Sequence, residues 1–309
     1  MLRAAVAEPG AVRVERSRNP RRSSEARSAW AYILPACVII LGLGILPMVW
    51  SLVLSLQVSD LIAPPEWIGF KNYEVISRDP AFRAAVGHTL LYTGLFVPLV
   101  IAGGLALALL LNRRIRFIGV YRTLVFVPFV ISATAQGVLF SFIFDSHFGL
   151  ANAVLRWFSI PPQGFFADER QAIYLLVLIG LWSGVGFCVV VFLAALQDIQ
   201  QELVEAAALD GAGRWATFRY VVWPALQPVT IFLLIWQTLQ SLQVFDLVFV
   251  TTRGGPLEST TVVVFFVWQQ AFEQFNAGYA AAAAYVLAFV LLVLSIGVRF
   301  VRRRDAEAR

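Results

Sequence analysis

The chain has 309 residues, 59% of them apolar and only 14% charged, with a net charge of +5 and a mean hydropathy of +0.76. That composition excludes an ordinary soluble domain, in which about 25% of residues are charged. It also excludes a disulfide scaffold, because the two cysteines, Cys37 and Cys188, both fall within apolar runs.

Residues 1–29, rich in Arg, Pro and Ser, read as a disordered basic tail. Six apolar runs follow, at 30–56, 89–111, 121–144, 172–196, 224–242 and 278–298. Each reaches the ~20 residues a helix needs to cross ~30 Å of hydrocarbon. Backbone groups in lipid must pair within their own segment, so each run is predicted to be helical. The expected fold class is all-α: a polytopic membrane protein with six transmembrane helices over residues 30–300 and a basic tail at 301–309. "LPAC", ending at Cys37, stands near the start of its apolar run, whereas a lipoprotein cleavage cysteine follows one; the first run is read as a retained anchor.

The basic residues orient the spans. With the N-terminus in the cytoplasm, the cytoplasmic segments hold 18 Lys or Arg and the opposite segments 6. Both termini and the loop at 197–223 are therefore expected on the cytoplasmic side. The charge of +5 is a topology signal and does not point to nucleic acid. On the far side, "PPEWIGFKNY" brings Trp67, Phe70 and Tyr73 to the lipid–water boundary, and 150–158 reads as a short amphipathic helix ended by Pro161 and Pro162. "RGGP" at 253–256 breaks the chain after the fifth run.

Catalytic chemistry finds few candidates. The one lysine, Lys71, lies outside any phosphate-cradling G-x-x-x-x-G-K-[ST] motif. The histidines, His88 and His147, are assigned to two different loops, with no metal-ligand spacing. The spans carry almost no ionisable residue, with Asp246 just past the fifth the nearest approach, which argues against a proton or sodium relay. They do carry Gln136, Trp182, Ser183, Gln237, Thr238, Gln240 and Ser241, a set suited to a neutral, hydroxyl-rich solute. "GLWSG" at 180–184 offers two glycines four apart for a close helix crossing.

The stretch "LQDIQQELVEAAALDGAGRWATFRYVVWPALQP" is the most informative. Asp198, Glu202 and Glu205 are spaced to share one helix face. Gly211 suits a turn with positive φ, while Asp210 is placed either at that turn or as a cap for the helix carrying Arg214 and Arg219. Pro224 is expected to open the fifth span. Helix, turn and helix, joined to two spans, form either a device that transmits force from a soluble partner or a hairpin that merely connects.

This stretch resembles the EAA loop of permease subunits of bacterial binding-protein-dependent ABC importers, through Glu205, Ala206, Ala207, Gly211, Val221 and Pro224. Val221, Trp223 and Gln200 depart from the isoleucine, leucine and proline of the pattern. "YRTLVFVPFVISATAQGVLFSFIFDSHFGLANAVL", "FDLVFVTTRGGP" and "AFEQFNAGYAAAAAYVL" resemble the carbohydrate-uptake branch. The resemblance implies a type I importer permease that is no enzyme itself. Its implied partners are a second homologous permease subunit, two ATPase subunits that bind ATP and Mg2+, and an extracytoplasmic solute-binding protein. It implies alternating access, with Glu205, Ala206, Ala207, Asp210 and Gly211 at the ATPase contact. It places a sugar or polyol pathway along Trp182, Ser183, Phe187, Gln237, Gln240, Ser241 and Val244, of which 237, 240, 241 and 244 share a helical face. A competing reading is an ion-coupled secondary transporter of a neutral solute, which predicts intramembrane carboxylates; another is a membrane enzyme, which predicts a clustered set of His, Asp or Glu.

Overall fold

The computed structural model describes residues 30, 32–60, 62, 64–113 and 116–307, from 298 onward as backbone only. The predicted tail at 1–29 lies outside the described residues. The chain divides into two compact units, 1–51 and 52–309. In the first, the described residues from 32 onward belong to α1, Tyr32–Ser55, and none of the described residues up to 51 is buried. A helix apolar on every side suits lipid.

In the second unit, β1 (Gln57–Val58) pairs antiparallel with β2 (Glu66–Trp67). Helix α2, Lys71–Arg78, is pinned beneath them: Asn72 Nδ2 donates to Ser55 O at 2.9 Å and Gln57 O at 3.0 Å. Helix α3, Pro80–Leu111, starts nine residues before the predicted second span. Asp79 caps it by accepting from Ala81 N at 2.8 Å, and Pro80 occupies a first-turn position where a missing N–H costs little. His88 is therefore a helix residue and not a loop residue; its Nδ1 lies 3.1 Å from Thr261 O.

The third predicted span is two helices, α4 (Ile118–Val130) and α5 (Ala133–Ile143), which meet at 98°. Pro128 removes a backbone donor near the end of α4, and Ser132 Oγ accepts from Ala135 N at 3.3 Å to start α5. Buried Gln136 donates from Nε2 to Pro128 O at 3.0 Å and Ile131 O at 2.7 Å, so the elbow's carbonyls remain paired. Beyond α5, the Asp145 carboxylate accepts from the backbone N–H groups of Phe148 (3.1 Å) and His147 (2.8 Å), which hold its pKa below the usual carboxylate value. The predicted amphipathic helix is α6, Leu150–Trp157.

Helix α7, Ala172–Gln197, packs along α3, and their facing residues build the main core with Leu226 and Leu233 from the fifth span. The helices approach closely: a Cβ on Gly104 would sit 2.4 Å from Cys188 Cβ, and one on Gly180 would sit 2.4 Å from the Tyr92 hydroxyl. Between lipid-embedded helices such packing, rather than escape from water, provides the attraction. The two glycines of "GLWSG" serve the predicted close crossing, against Tyr92, Phe96 and Val100.

After α7 come α8 (Gln201–Leu209) and α9 (Arg214–Thr217), then a π-helical turn (Phe218–Val222) and α10 (Trp223–Leu242). The last three are continuous, so Pro224 lies inside the helical run and does not open it. The π turn accommodates the donor that proline lacks. Short helices α11 (Asp246–Thr251) and α12 (Val263–Trp268) flank the break at "RGGP". Helix α13, Ala277–Glu307, completes the chain, with Phe266 and Tyr279 joining Ile76 and Phe82 in a second core. Among the described residues, five helices are long and apolar enough to cross a membrane, or six if the bent α4–α5 pair counts as one span.

Candidate functional site

Two features stand out, and one run of helix joins them. The first is the elbow formed by α8. Helix α7 ends at Gln197 and α8 begins at Gln201, so Asp198 does not share a helix face with Glu202 and Glu205 as expected; the chain breaks at 198–200. On α8, Val204 and Ala207 are half-buried, whereas Glu202, Glu205, Ala206 and Leu209 face outward, with Leu209 90% exposed. Ala207 thus seats α8 on its own chain, and Ala206 presents the small surface. Gln201 Nε2 donates to Glu205 Oε1 at 2.7 Å and orients that carboxylate.

The end of α8 is set by backbone geometry. Ala212 N donates to Ala207 O at 2.9 Å and Gly211 N to Ala208 O at 3.1 Å. This is the six-to-one and five-to-two pattern of a Schellman cap. It requires the left-handed conformation at Gly211, where φ is +79°. Asp210 is the terminal residue of that cap; the next helix is preceded by Gly213, so Asp210 does not cap it. Trp215, Phe218 and Trp223 then meet in succession with tilted rings, centroids 5.7 and 6.3 Å apart, across the π turn.

The second feature is an open cavity of about 480 Å³ lined by α3, the α4–α5 elbow, α7, α10 and the turn into α11. That volume lies within the 300–1,000 Å³ range common for small-molecule sites. Ser183, Phe187, Gln237, Gln240, Ser241 and Val244 all line it. Trp182 does not; its ring stands edge-on to Phe140 at 5.2 Å. Phe187 is flanked by Phe129 (5.4 Å) and Trp236 (5.9 Å), which extends the aromatic wall beyond the predicted residues. Gln136 and Asp246 also reach the cavity. Gln136 stands out in the sequence as a polar residue in an apolar run, but nothing in the spacing signals that the turn after Leu242 brings Asp246 back toward the lumen. The wall mixes ring faces with amide, hydroxyl and carboxylate groups, which can stack on and hydrogen-bond a polar organic solute. Among the described residues, no cluster of three His, Cys, Asp or Glu is arranged to hold a metal.

A helical, multi-pass membrane bundle with a polar cavity and a protruding elbow defines a transport component. Residues 99–305 match the family described as binding-protein-dependent transport system inner membrane component, and the chain belongs to that family. The lactose transport system permease protein LacF of Rhizobium radiobacter is 33% identical over 286 residues, 91% of this chain and 95% of LacF. The sn-glycerol-3-phosphate transport system permease protein UgpA of Pectobacterium atrosepticum is 30% identical, over 90% of this chain and 96% of UgpA. In fold, the chain matches a subunit from the crystal structure of a bacterial alginate ABC transporter in complex with an alginate pentasaccharide-bound periplasmic protein. The TM-score is 0.83 at 22% identity, over 94% of this chain and 98% of that one.

Proposed function

We propose that this chain is one of two homologous permease halves of an ATP-driven importer for a sugar or polyol. It works by alternating access in a bacterial cytoplasmic membrane. Both termini and α8 lie in the cytoplasm, as the excess of Lys and Arg on that side supports. Two separate ATPase subunits bind ATP and Mg2+ and hydrolyse the nucleotide; an extracytoplasmic solute-binding protein delivers the solute. The outward face of α8, with Glu205, Ala206 and Leu209, seats on one ATPase, and the Gly211 cap fixes its angle. The solute passes along Ser183, Phe187, Gln237, Gln240, Ser241 and Val244.

One observation carries this reading. Helical structure runs unbroken from Arg214 to Leu242, so the segment leaving the elbow is the same one that presents Gln237, Gln240 and Ser241 to the cavity. At 1.5 Å per residue, the 26 steps from Arg214 to Gln240 span about 39 Å, enough to carry a push from a soluble motor to mid-membrane. Relatives named for lactose and glycerol phosphate transport support the solute class.

Replacing Leu209 with Asp tests the reading without touching the core, because the side chain is 90% exposed. The expected result is loss of the ATPase subunit on purification and of ATP-dependent sugar uptake into proteoliposomes, while the permease pair remains folded. Uptake that survives this change, or that stops when a protonophore is added with ATP present, would favour the ion-coupled alternative.

A further inference from the structure

The cavity's charge is of one sign, and several of its polar side chains have their protons already engaged. Gln136 spends its amide N–H groups on Pro128 O and Ile131 O. The hydroxyl protons of Ser183 and Ser241 go to Gly180 O (3.1 Å) and Thr238 O (3.0 Å). With their protons so engaged, these three side chains are left with acceptor capacity alone. Asp246, exposed at the cavity wall, adds a carboxylate, which when ionised can only accept. Among the described residues lining the cavity there is no Lys or Arg. Neutral donors remain on Tyr92, Trp236, Gln237, Gln240 and Gln243, so the one-sidedness is in charge: a carboxylate with no cation beside it.

We infer that Asp246 and the acceptors around it make this cavity a donor-reading, anion-rejecting filter, which selects neutral or amino sugars over uronates and sugar phosphates. This rests on the sugar-pathway reading above and narrows its substrate class. A sugar hydroxyl or ammonium group brings the proton that Gln136, Ser183, Ser241 and Asp246 lack. A carboxylate or phosphate brings only lone pairs, and like charge besides. The relatives span both classes, since lactose is neutral whereas alginate and glycerol phosphate are acidic.

The test uses the complete transporter, purified with both permease and both ATPase subunits. Its readout is maleimide labelling of a cysteine introduced at Val244, with Cys37 replaced by alanine. Glucose, glucuronate and glucosamine serve as probes, since they share a ring and differ in charge. Unit charges about 5 Å apart in partly solvated surroundings change binding by about tenfold. Glucuronate should therefore need about tenfold more than glucose for equal protection, and glucosamine no more than glucose. Asp246→Asn should bring glucuronate and glucose together, while Asp246→Glu keeps them apart. Equal protection by glucuronate and glucose in the otherwise unchanged cavity, or a ratio that Asp246→Asn leaves unmoved, overturns the inference and spares the sugar pathway. Protection by none of the three overturns both.

Discussion

Gly211 offers the sharpest perturbation of the elbow. Its φ of +79° places it in the left-handed region, and no atom lies within 4 Å of the position a Cβ would take. Gly211→Ala therefore adds backbone strain without a clash. That strain is about 1–2 kcal/mol for an L-residue held in the left-handed conformation, equivalent to a change of roughly 5- to 30-fold in the opening equilibrium of the cap. Hydrogen exchange reads it directly: the Ala212 amide, bonded to Ala207 O at 2.9 Å, should exchange faster by that factor, with amides of the α3–α7 core unchanged. Gly211→Asn should lie between alanine and glycine, because Asn tolerates the left-handed region. If the elbow transmits force, ATP hydrolysis and uptake should uncouple in the same order. Exchange in Gly211→Ala as slow as in the native chain, or an Asn variant worse than the Ala variant, would refute the argument from backbone conformation.

Two further outcomes test the bundle. Gln136→Leu should leave the Pro128 and Ile131 carbonyls without their side-chain donor at the α4–α5 elbow, costing about 1–3 kcal/mol, read as a lower unfolding temperature of the purified transporter. Gly104→Ala should push α3 from α7 and cost about 1–3 kcal/mol; the double change Gly104→Ala with Cys188→Gly should recover much of that loss, because the two β-carbons compete for one space. A double variant no more stable than Gly104→Ala alone would show that the contact is not the limiting one.

The apolar spans were legible because lipid imposes a length and a composition that few other environments require. Their interruptions were less so. Residues 121–144 stay apolar through the 98° bend, so hydropathy carries no mark of it; the signal was Pro128 followed by Ser132 and Gln136, a missing donor followed by a cap for the next helix and an amide that pairs the last carbonyls of the first. The fifth helix begins at Arg214 because the hairpin, and not the lipid, supports its first two turns, and those turns are too polar to be read as part of a span. In the cavity, Gln237, Gln240 and Ser241 were legible through spacings of three and four along one face; Val244, expected on the same face, lies past the end of α10 at Leu242 and reaches the cavity from the turn that follows. Trp182 was misplaced because neighbouring positions on a helix point about 100° apart: Ser183 and Phe187 turn to the lumen, and Trp182 turns to Phe140. Asp246 depended on a turn with no periodicity to read.

The helix that joins elbow to cavity is not uniformly stiff, and this bears on how a load would travel. Beyond Pro224 one stripe of α10, Leu226, Thr230, Leu233, Gln237 and Ser241, is buried, which clamps that part of the helix in the bundle. Between the clamp and the elbow lie the π turn and Pro224, where helical hydrogen bonding is weakest and bending is easiest. A load on α8 would dissipate there unless something braced the stretch. The contacts of Phe218 with Trp215 and Trp223 bridge the π turn, the rings tilted by 30° and 42° to one another, and add side-chain packing where the backbone bonding is weak. Trp223, which departs from the leucine of the resembling pattern, places a larger side chain beside Pro224, so if the elbow transmits force Trp223→Leu should weaken coupling between ATP hydrolysis and uptake.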